Sequence, residues 1–142
     1  MKKSIENIGD DYIAYARYRP LEEAPEQVQA DALDLLFLVE DDPEKAWEAI
    51  KYIVIRFPEA DLIRPYAEGD ETEAQWVVGL LAAGPLEDFL SLYGPNYIER
   101  VEIEARRDRR MAWALAGVWQ FTMTDEVWAR VQRAALKWET AT

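Results

Sequence analysis

Carboxylates are the side chains of this 142-residue sequence with the clearest capacity for chemistry. They form two dense groups: Glu40, Asp41 and Asp42, and then Glu68, Asp70, Glu71 and Glu73. Carboxylates transfer protons in catalysis and hold Mg²⁺ or Ca²⁺. Neither group has the alternating ligands and central glycine of a calcium loop, however, and acids at helix starts also act as caps. A carboxylate-dependent metal hydrolase is therefore the least favoured of three functional interpretations.

Several other chemistries are excluded by residue types that the sequence lacks. It has no histidine and no cysteine, so it cannot build a Ser-His-Asp or Cys-His nucleophile, an ordinary zinc site or a disulfide. A glycine-rich phosphate loop is also missing, because the relevant glycines are scattered: Gly69, Gly79, Gly84, Gly94 and Gly117. We predict a protein without enzymatic activity, cofactor or bound metal.

Aromatic side chains offer candidate contacts to a partner. Tyr12, Tyr15 and Tyr18 recur at every third residue. Their rings are expected to pack inward while the hydroxyls rim a groove, and we select Tyr12 and Tyr15 as contact residues. Trp138, near the chain end, is the tryptophan predicted to touch a partner or a second copy. Other tryptophans fall on apolar stripes and are predicted to be buried: Trp47, Trp76 and Trp128.

A basic run surrounds Asp108 and consists of Arg106, Arg107, Arg109 and Arg110. These arginines could contact phosphate or the acidic half of another copy. The favoured interpretation is local pairing at helical spacing with three glutamates, Glu99, Glu102 and Glu104, because residues three or four apart on a helix are neighbours. The run is therefore not selected as a binding site.

Charge is strongly acidic and unevenly distributed. The formal net charge is -12, with 19 acids and 8 bases in residues 1–75 but 9 acids and 8 bases in residues 76–142. Nucleic-acid binding is disfavoured, because its affinity comes largely from Lys and Arg displacing counterions from phosphates. A basic protein is the partner that this composition favours.

Length and hydrophobicity predict a single domain over residues 1–142 with an acidic first half and a near-neutral second half. The sequence is 50% hydrophobic, which is enough for one packed core. Ser4 to Asp11 is polar where a secretion signal would be apolar. The longest uncharged run, Ala74 to Leu86, is shorter than the roughly 20 residues that cross a bilayer. We predict a cytoplasmic protein with no membrane-spanning segment.

The elements that carry these residues are predicted to be helices throughout. Apolar spacing, capping residues and prolines indicate about eight short helices, near residues 10–19, 25–42, 43–57, 72–83, 85–94, 95–107, 108–118 and 124–139. Gly84 and Gly94 are expected to end helices, and Pro85 and Pro95 to begin the next ones. We predict an all-α fold of antiparallel helix pairs, either an α-solenoid-like (HEAT-like) stack or a compact bundle.

Residues 80–131 resemble a family of small bacterial helical domains that carries no assigned function. The resemblance rests on LLAAGPLEDFLSLYG, IERVEIEARRDRRMAWALAGVWQ and DEVWARV. Its distinctive positions are Ala83, Gly84, Pro85, Leu86, Glu87, Asp88, Gly94, Ile98, Glu102, Ala105, Leu115, Trp119 and Trp128. The resemblance implies an all-α fold and a bacterial or phage source, and it supplies no catalytic residue.

The leading functional hypothesis is a protein-binding module of the immunity or inhibitor type, whose acidic surface neutralises a basic toxin or nuclease. Its candidate contacts are the two acidic groups together with Tyr12, Tyr15 and Trp138. The first alternative is a structural or adaptor domain that self-associates, for example as a homodimer, through Trp138 and the last helix. The metal hydrolase is the second alternative.

Overall fold

The computed structural model describes residues 3–65 and 70–137. Within those residues the chain forms helices and no strand, which confirms the all-α prediction. The α-helices are α1 Ile5–Ala16, α2 Glu26–Asp41, α3 Pro43–Ile55, α4 Glu59–Leu62, α5 Glu73–Leu81, α6 Glu87–Arg107, α7 Arg109–Leu115 and α8 Asp125–Ala134. A 3-10 turn spans Leu21–Glu23, and a π-helical turn spans Ala82–Leu86.

Short polar side chains cap helix starts where the sequence predicts them. The Asp42 carboxylate accepts from the backbone N of Lys45 (3.2 Å) at the start of α3. Asp108, Thr72 and Thr124 serve in the same way for α7, α5 and α8. Helix α1 differs from the prediction, because it begins at Ile5 behind a Ser4 cap and ends at Ala16.

The prediction that helices break at Gly84 and Gly94 is wrong. Helix α5, the π-helical turn and α6 form one continuous helical segment of 35 residues, Glu73–Arg107. Pro85 lies in the π turn, which is wider than an α turn and gives the proline ring room. The three helices predicted near residues 72–83, 85–94 and 95–107 are therefore parts of one long helix.

Gly94 allows a close helix crossing and does not end a helix. A Cβ at Gly94 would lie 2.7 Å from Cγ1 of Val127 on α8, which is well inside van der Waals contact. The backbone of α6 approaches α8 this closely because residue 94 has no side chain. Packing between the two helices, and not chain termination, explains this glycine.

Buried side chains from α1 through α8 form one continuous core. Helix α1 packs on both α2 and α3, and α6 packs on α8. Near the centre, the Trp47 ring of α3 stacks on Phe89 of α6 with centroids 5.8 Å apart. At the surface, Arg100 of α6 donates to both carboxylate oxygens of Glu44 on α3 (2.9 and 2.6 Å). The long helix is thus joined to the first three helices.

By length and composition, the continuous segment Glu73–Arg107 is able to cross a membrane. Its apolar 18-residue window has a mean hydropathy of 1.2, and 50% of that window is buried inside the protein. The sequence-based exclusion measured only the uncharged run Ala74 to Leu86, whereas the helix continues beyond that run. The partly buried core helix of a globular protein passes the same test of length and composition.

Candidate partner-binding site

Helix α2 carries apolar side chains on two faces. Ala32, Leu35 and Val39 are buried in the core. On a second face Leu33, Leu36 and Phe37 are exposed, and Phe37 retains 55% of its accessible area. Leu36 is adjacent in sequence to the buried Leu35, but it lies on this second face and is 37% exposed. The exposed face of α2 is therefore an apolar surface without a partner inside the described fold.

A tight turn between α7 and α8 holds two more exposed aromatic side chains. Trp119 is 73% exposed and Phe121 is 66% exposed. The backbone N of Met123 donates to the carbonyl of Gln120 (2.8 Å), which closes the turn around Phe121. Phe121 has a φ of 46°, a left-handed conformation that is strained for a residue with a bulky side chain. The strain is retained even though the ring packs little against the core.

A cavity of about 280 Å³ lies between α2, α6 and this turn. We call it the acidic pocket, and its lining residues are Leu36, Val39, Glu40, Asp88, Ser91, Leu92, Phe121 and Thr122. Three of these side chains are large, apolar and exposed: Leu36, Leu92 and Phe121. The backbone N of Trp119 donates to the Glu87 carboxylate (2.9 Å), which holds the turn beside α6. The pocket thus combines an apolar rim with two carboxylates.

Those two carboxylates, Glu40 and Asp88, have no cationic partner among the residues that the structure describes. Burial raises the pKa of Asp88, and the negative charges of Glu87 and Glu40 raise it further. Nearby, the Tyr93 hydroxyl donates to the carbonyls of Val39 (2.6 Å) and Glu40 (2.9 Å), which fixes the end of α2. The pocket therefore has a local negative charge that is not compensated within the described fold.

A larger groove of about 680 Å³ lies between α2 and the start of α1, and Phe37 is among the residues that line it. Lys3 lines it and forms salt bridges with Asp34, with Asp11 (2.7 Å) and, at 3.8 Å, with Asp31. These three carboxylates are therefore already paired with a cation of the same chain. The smaller acidic pocket is therefore the better candidate for a cationic ligand.

The first predicted acidic group is divided between different roles. Glu40 lines the acidic pocket. Asp41 is exposed and borders the larger groove. Asp42 is the N-cap of α3, so its carboxylate is occupied by a backbone amide. Sequence reasoning found one of the two pocket carboxylates and missed Asp88.

Three members of the second predicted acidic group, Asp70, Glu71 and Glu73, do not line the acidic pocket. Asp70 is 3.9 Å from Arg64, and Glu73 forms a salt bridge with Arg17 (3.2 Å). One carboxylate oxygen of Glu71 is buried without a hydrogen-bond partner. Glu68 lies outside the described residues. In the described part of the chain, no three acidic side chains gather closely enough to hold a metal ion.

Of the three predicted aromatic contacts, Tyr12 requires correction. Tyr12 is only 5% exposed and belongs to the core, where burial raises the pKa of its hydroxyl. Its ring is therefore unavailable to a partner. Tyr15 is half-buried and packs edge-on against Tyr12. Trp138 lies outside the described residues. Trp119 and Phe121 are exposed aromatics that the sequence analysis did not select as contact residues. The available signal was an aromatic side chain between the predicted helices 108–118 and 124–139.

Two members of the arginine run, Arg109 and Arg110, contact other parts of the fold instead of the glutamates with which local pairing is predicted. Arg110 donates to the carbonyls of Ile55 (3.2 Å) and Phe57 (2.9 Å) at the end of α3, and its guanidinium also pairs with Asp108. Arg109 pairs with Glu59 (3.3 Å). These contacts are structural, so the basic run is not part of the candidate site.

Comparison with known proteins adds a family. A family model described as a family of unknown function (DUF6869) matches residues 20–138. No curated protein and no solved structure was found to match the chain. The matched range contains residues 80–131, on which the sequence resemblance rests. It also contains all of α2, α3 and the acidic pocket. The chain therefore belongs to this family of unknown function, DUF6869.

Proposed function

We propose that this chain is a non-catalytic protein-binding module of the immunity or inhibitor type, which covers a basic surface of a toxin or nuclease in the bacterial cytoplasm. The single observation that carries the proposal is the acidic pocket, where exposed Phe121 and Leu92 stand beside the unpaired carboxylates of Glu40 and Asp88. An exposed aromatic supplies an apolar anchor, and carboxylates without partners supply charge complementarity.

The charge of the whole chain supports a basic partner. With a net charge of -12, the protein attracts basic proteins over long range and so speeds their encounter. Affinity needs an apolar centre as well, because exposed ion pairs alone contribute little. The pocket supplies such a centre within the acidic surface.

A pull-down from the source cell at low and high salt tests this function. The bait is the full chain, either unchanged or carrying Asp88→Lys or Glu22→Lys. Glu22 is exposed and does not line the pocket, so Glu22→Lys is a control that changes the net charge by the same amount. We expect one basic protein to be retained by the wild type and the control at low salt, weakened at high salt, and lost with Asp88→Lys. Retention of the same proteins by all three baits contradicts the proposal.

Self-association is a second candidate function, favoured by the exposure of Trp119. Trp119 and Trp128 line a cavity of about 350 Å³ together with Val131 and Ala135 on the last helix. A second copy could cover this surface. Light scattering over a range of concentrations tests it: a dimer that Trp119→Ser dissociates supports self-association, and a monomer at high concentration excludes it.

A further inference from the structure

We infer that the acidic pocket binds a lysine or arginine side chain presented by an amphipathic helical segment of the protein partner. This inference rests on the proposed function, since it names the part of a basic partner that the chain contacts. It is carried by the arrangement of apolar walls and unpaired carboxylates in one small cavity.

The walls of the pocket suit the aliphatic part of a long cationic side chain. Leu36, Leu92 and Phe121 are 37%, 56% and 66% exposed and border the same cavity. Lysine and arginine bury their methylene stems on apolar surface while the charged head stays in a polar environment. The Phe121 ring offers an additional cation–π contact. A cavity of about 280 Å³ has room for one such side chain.

The two carboxylates suit the charged head of that side chain. Glu40 and Asp88 both line the cavity, and Asp88 carries a raised pKa because it is partly buried beside Glu40 and Glu87. A cation bound beside Asp88 would favour its charged form and offset the repulsion from Glu40 and Glu87. The pocket therefore gains more from a cationic side chain than from an apolar one of the same length.

The surface next to the pocket suits the apolar residues of the same segment. Leu33 and Phe37 lie on the exposed face of α2, one helical turn or less from Leu36. Apolar residues spaced three or four apart on a partner helix can lie along such a face. The spacing of three and four residues on α2 thus matches the spacing of apolar residues on a helical segment, which is the occupant that we infer.

A second copy of the chain is a poor occupant of this surface. Each copy carries a net charge of -12, and pairing two identical acidic pockets would place their carboxylates opposite one another. A nucleic acid is disfavoured by the same charge. A basic protein segment is the occupant that complements both the charge and the apolar rim.

The test uses two synthetic helical peptides titrated against the full chain by fluorescence anisotropy at low salt. Both have leucines at helical spacing and differ only at one central position, which is lysine in one and the uncharged isostere norleucine in the other. We expect the lysine peptide to bind the wild type at least about tenfold more tightly. Asp88→Asn should remove most of that preference, whereas Glu22→Gln, an exposed control, should retain it.

Backbone amide shifts on addition of the lysine peptide locate the site, and we expect them to centre on Leu36, Asp88, Leu92 and Phe121. Equal affinity of the two peptides, no binding of either, or equal effects of Asp88→Asn and Glu22→Gln would each overturn the inference. A basic protein captured in the pull-down would still support the proposed function in those cases. Conversely, a lysine preference that depends on Asp88 without any captured basic protein supports the pocket and removes the proposed function.

Discussion

Asp88 and Phe121 are both held in conditions that lower the stability of the folded chain. Asp88 is a partly buried acid near two other acids, and Phe121 is a bulky residue at a φ of 46°. Strained or electrostatically unfavourable residues are often found at functional sites, where another requirement maintains them. Both residues line the acidic pocket. Substituting either one should therefore weaken partner binding while the stability of the fold is unchanged or raised.

Replacing Asp88 with Asn should raise the melting temperature at neutral pH. The pKa of Asp88 is higher in the folded chain than in the unfolded chain, so the folded state binds its proton more tightly. Ionisation of Asp88 therefore lowers the free energy of unfolding. This loss is absent at a pH below the pKa that Asp88 has in the unfolded chain, and it grows as the pH rises from that value to the higher pKa of the folded chain. Thermal unfolding should therefore show a gain at pH 7 that vanishes near pH 3. A lower melting temperature at pH 7 would contradict this reasoning.

Replacing Phe121 with Asn should leave stability unchanged or raise it by up to about 1 kcal/mol, because Asn tolerates the left-handed conformation better. Urea unfolding measures the change. Thr122→Asn is the matched control, since the φ of Thr122 is not positive and no strain is relieved there. A loss of more than about 1 kcal/mol in Phe121→Asn would show that the ring supports the fold.

The pocket could be predicted only in part from the sequence. Glu40 was found because it belongs to a dense acidic run. Asp88 and Leu92 were not, because their significance depends on α2 and the turn at Phe121, which are distant in sequence. Whether Asp88 is exposed to solvent or partly buried near Glu40 depends on residues that are distant in the sequence. The local sequence around Asp88 does not show which residues those are.

Helix starts and helix ends differ in how well the sequence predicts them. The starts at Asp42, Asp108 and Thr124 are governed by a side chain that accepts from its own first turn, and this local chemistry was predicted correctly. The predicted breaks at Gly84 and Gly94 were wrong, because tertiary packing holds the long helix together. The second apolar face of α2 was missed for a related reason: periodicity shows a stripe but not whether another helix covers it.

Gly94→Ala should lower the free energy of unfolding by about 1 to 3 kcal/mol, because the new methyl overlaps the Val127 side chain. Gly79→Ala is the matched control. A Cβ there meets nothing within 4 Å, so the higher helix propensity of Ala should stabilise the chain by up to about 1 kcal/mol. Urea denaturation measures both. Adding Val127→Ala to Gly94→Ala should recover part of the loss, and an Ala at 94 that stabilises would disprove the close crossing.

Arg110→Met should destabilise the chain by about 1 to 3 kcal/mol, because the carbonyls of Ile55 and Phe57 lose their donor and Asp108 loses its partner. Arg109→Met should change stability by less than about 1 kcal/mol, since its salt bridge with Glu59 is exposed. Equal effects in chemical denaturation would mean that Arg110 does not tie α7 to the end of α3.

At the scale of the whole molecule, the matched family range and the folded core do not coincide. The family model begins at residue 20, after α1 has ended. Helix α1 nevertheless contributes Ile8, Tyr12, Ile13 and Ala16 to the continuous core and covers α2 and α3. The acidity of the chain was evident from composition, but which acids remain unpaired depends on where lysines and arginines lie in the fold.

Removing residues 1–17 should abolish cooperative unfolding, because the apolar faces of α2 and α3 that α1 covers would become exposed to water. Thermal denaturation followed by near-ultraviolet circular dichroism measures the loss, with the full chain as reference. A truncated chain that retains a sharp transition and native aromatic signals would show that residues 18–142 fold without α1.

The π-helical turn Ala82–Leu86 has a consequence for how the sequence can change in length. A π turn accommodates about one residue more than an α turn, so it behaves as a single-residue insertion absorbed within a continuous helix. If the extra residue were held in an ordinary α turn, everything on its N-terminal side would rotate by about 100° relative to the rest, and Val77 and Leu81 would leave the core. Deleting one residue there should instead restore an ordinary helix with both halves still in phase. The turn therefore lets the long helix carry one more residue while both of its halves keep the same buried face.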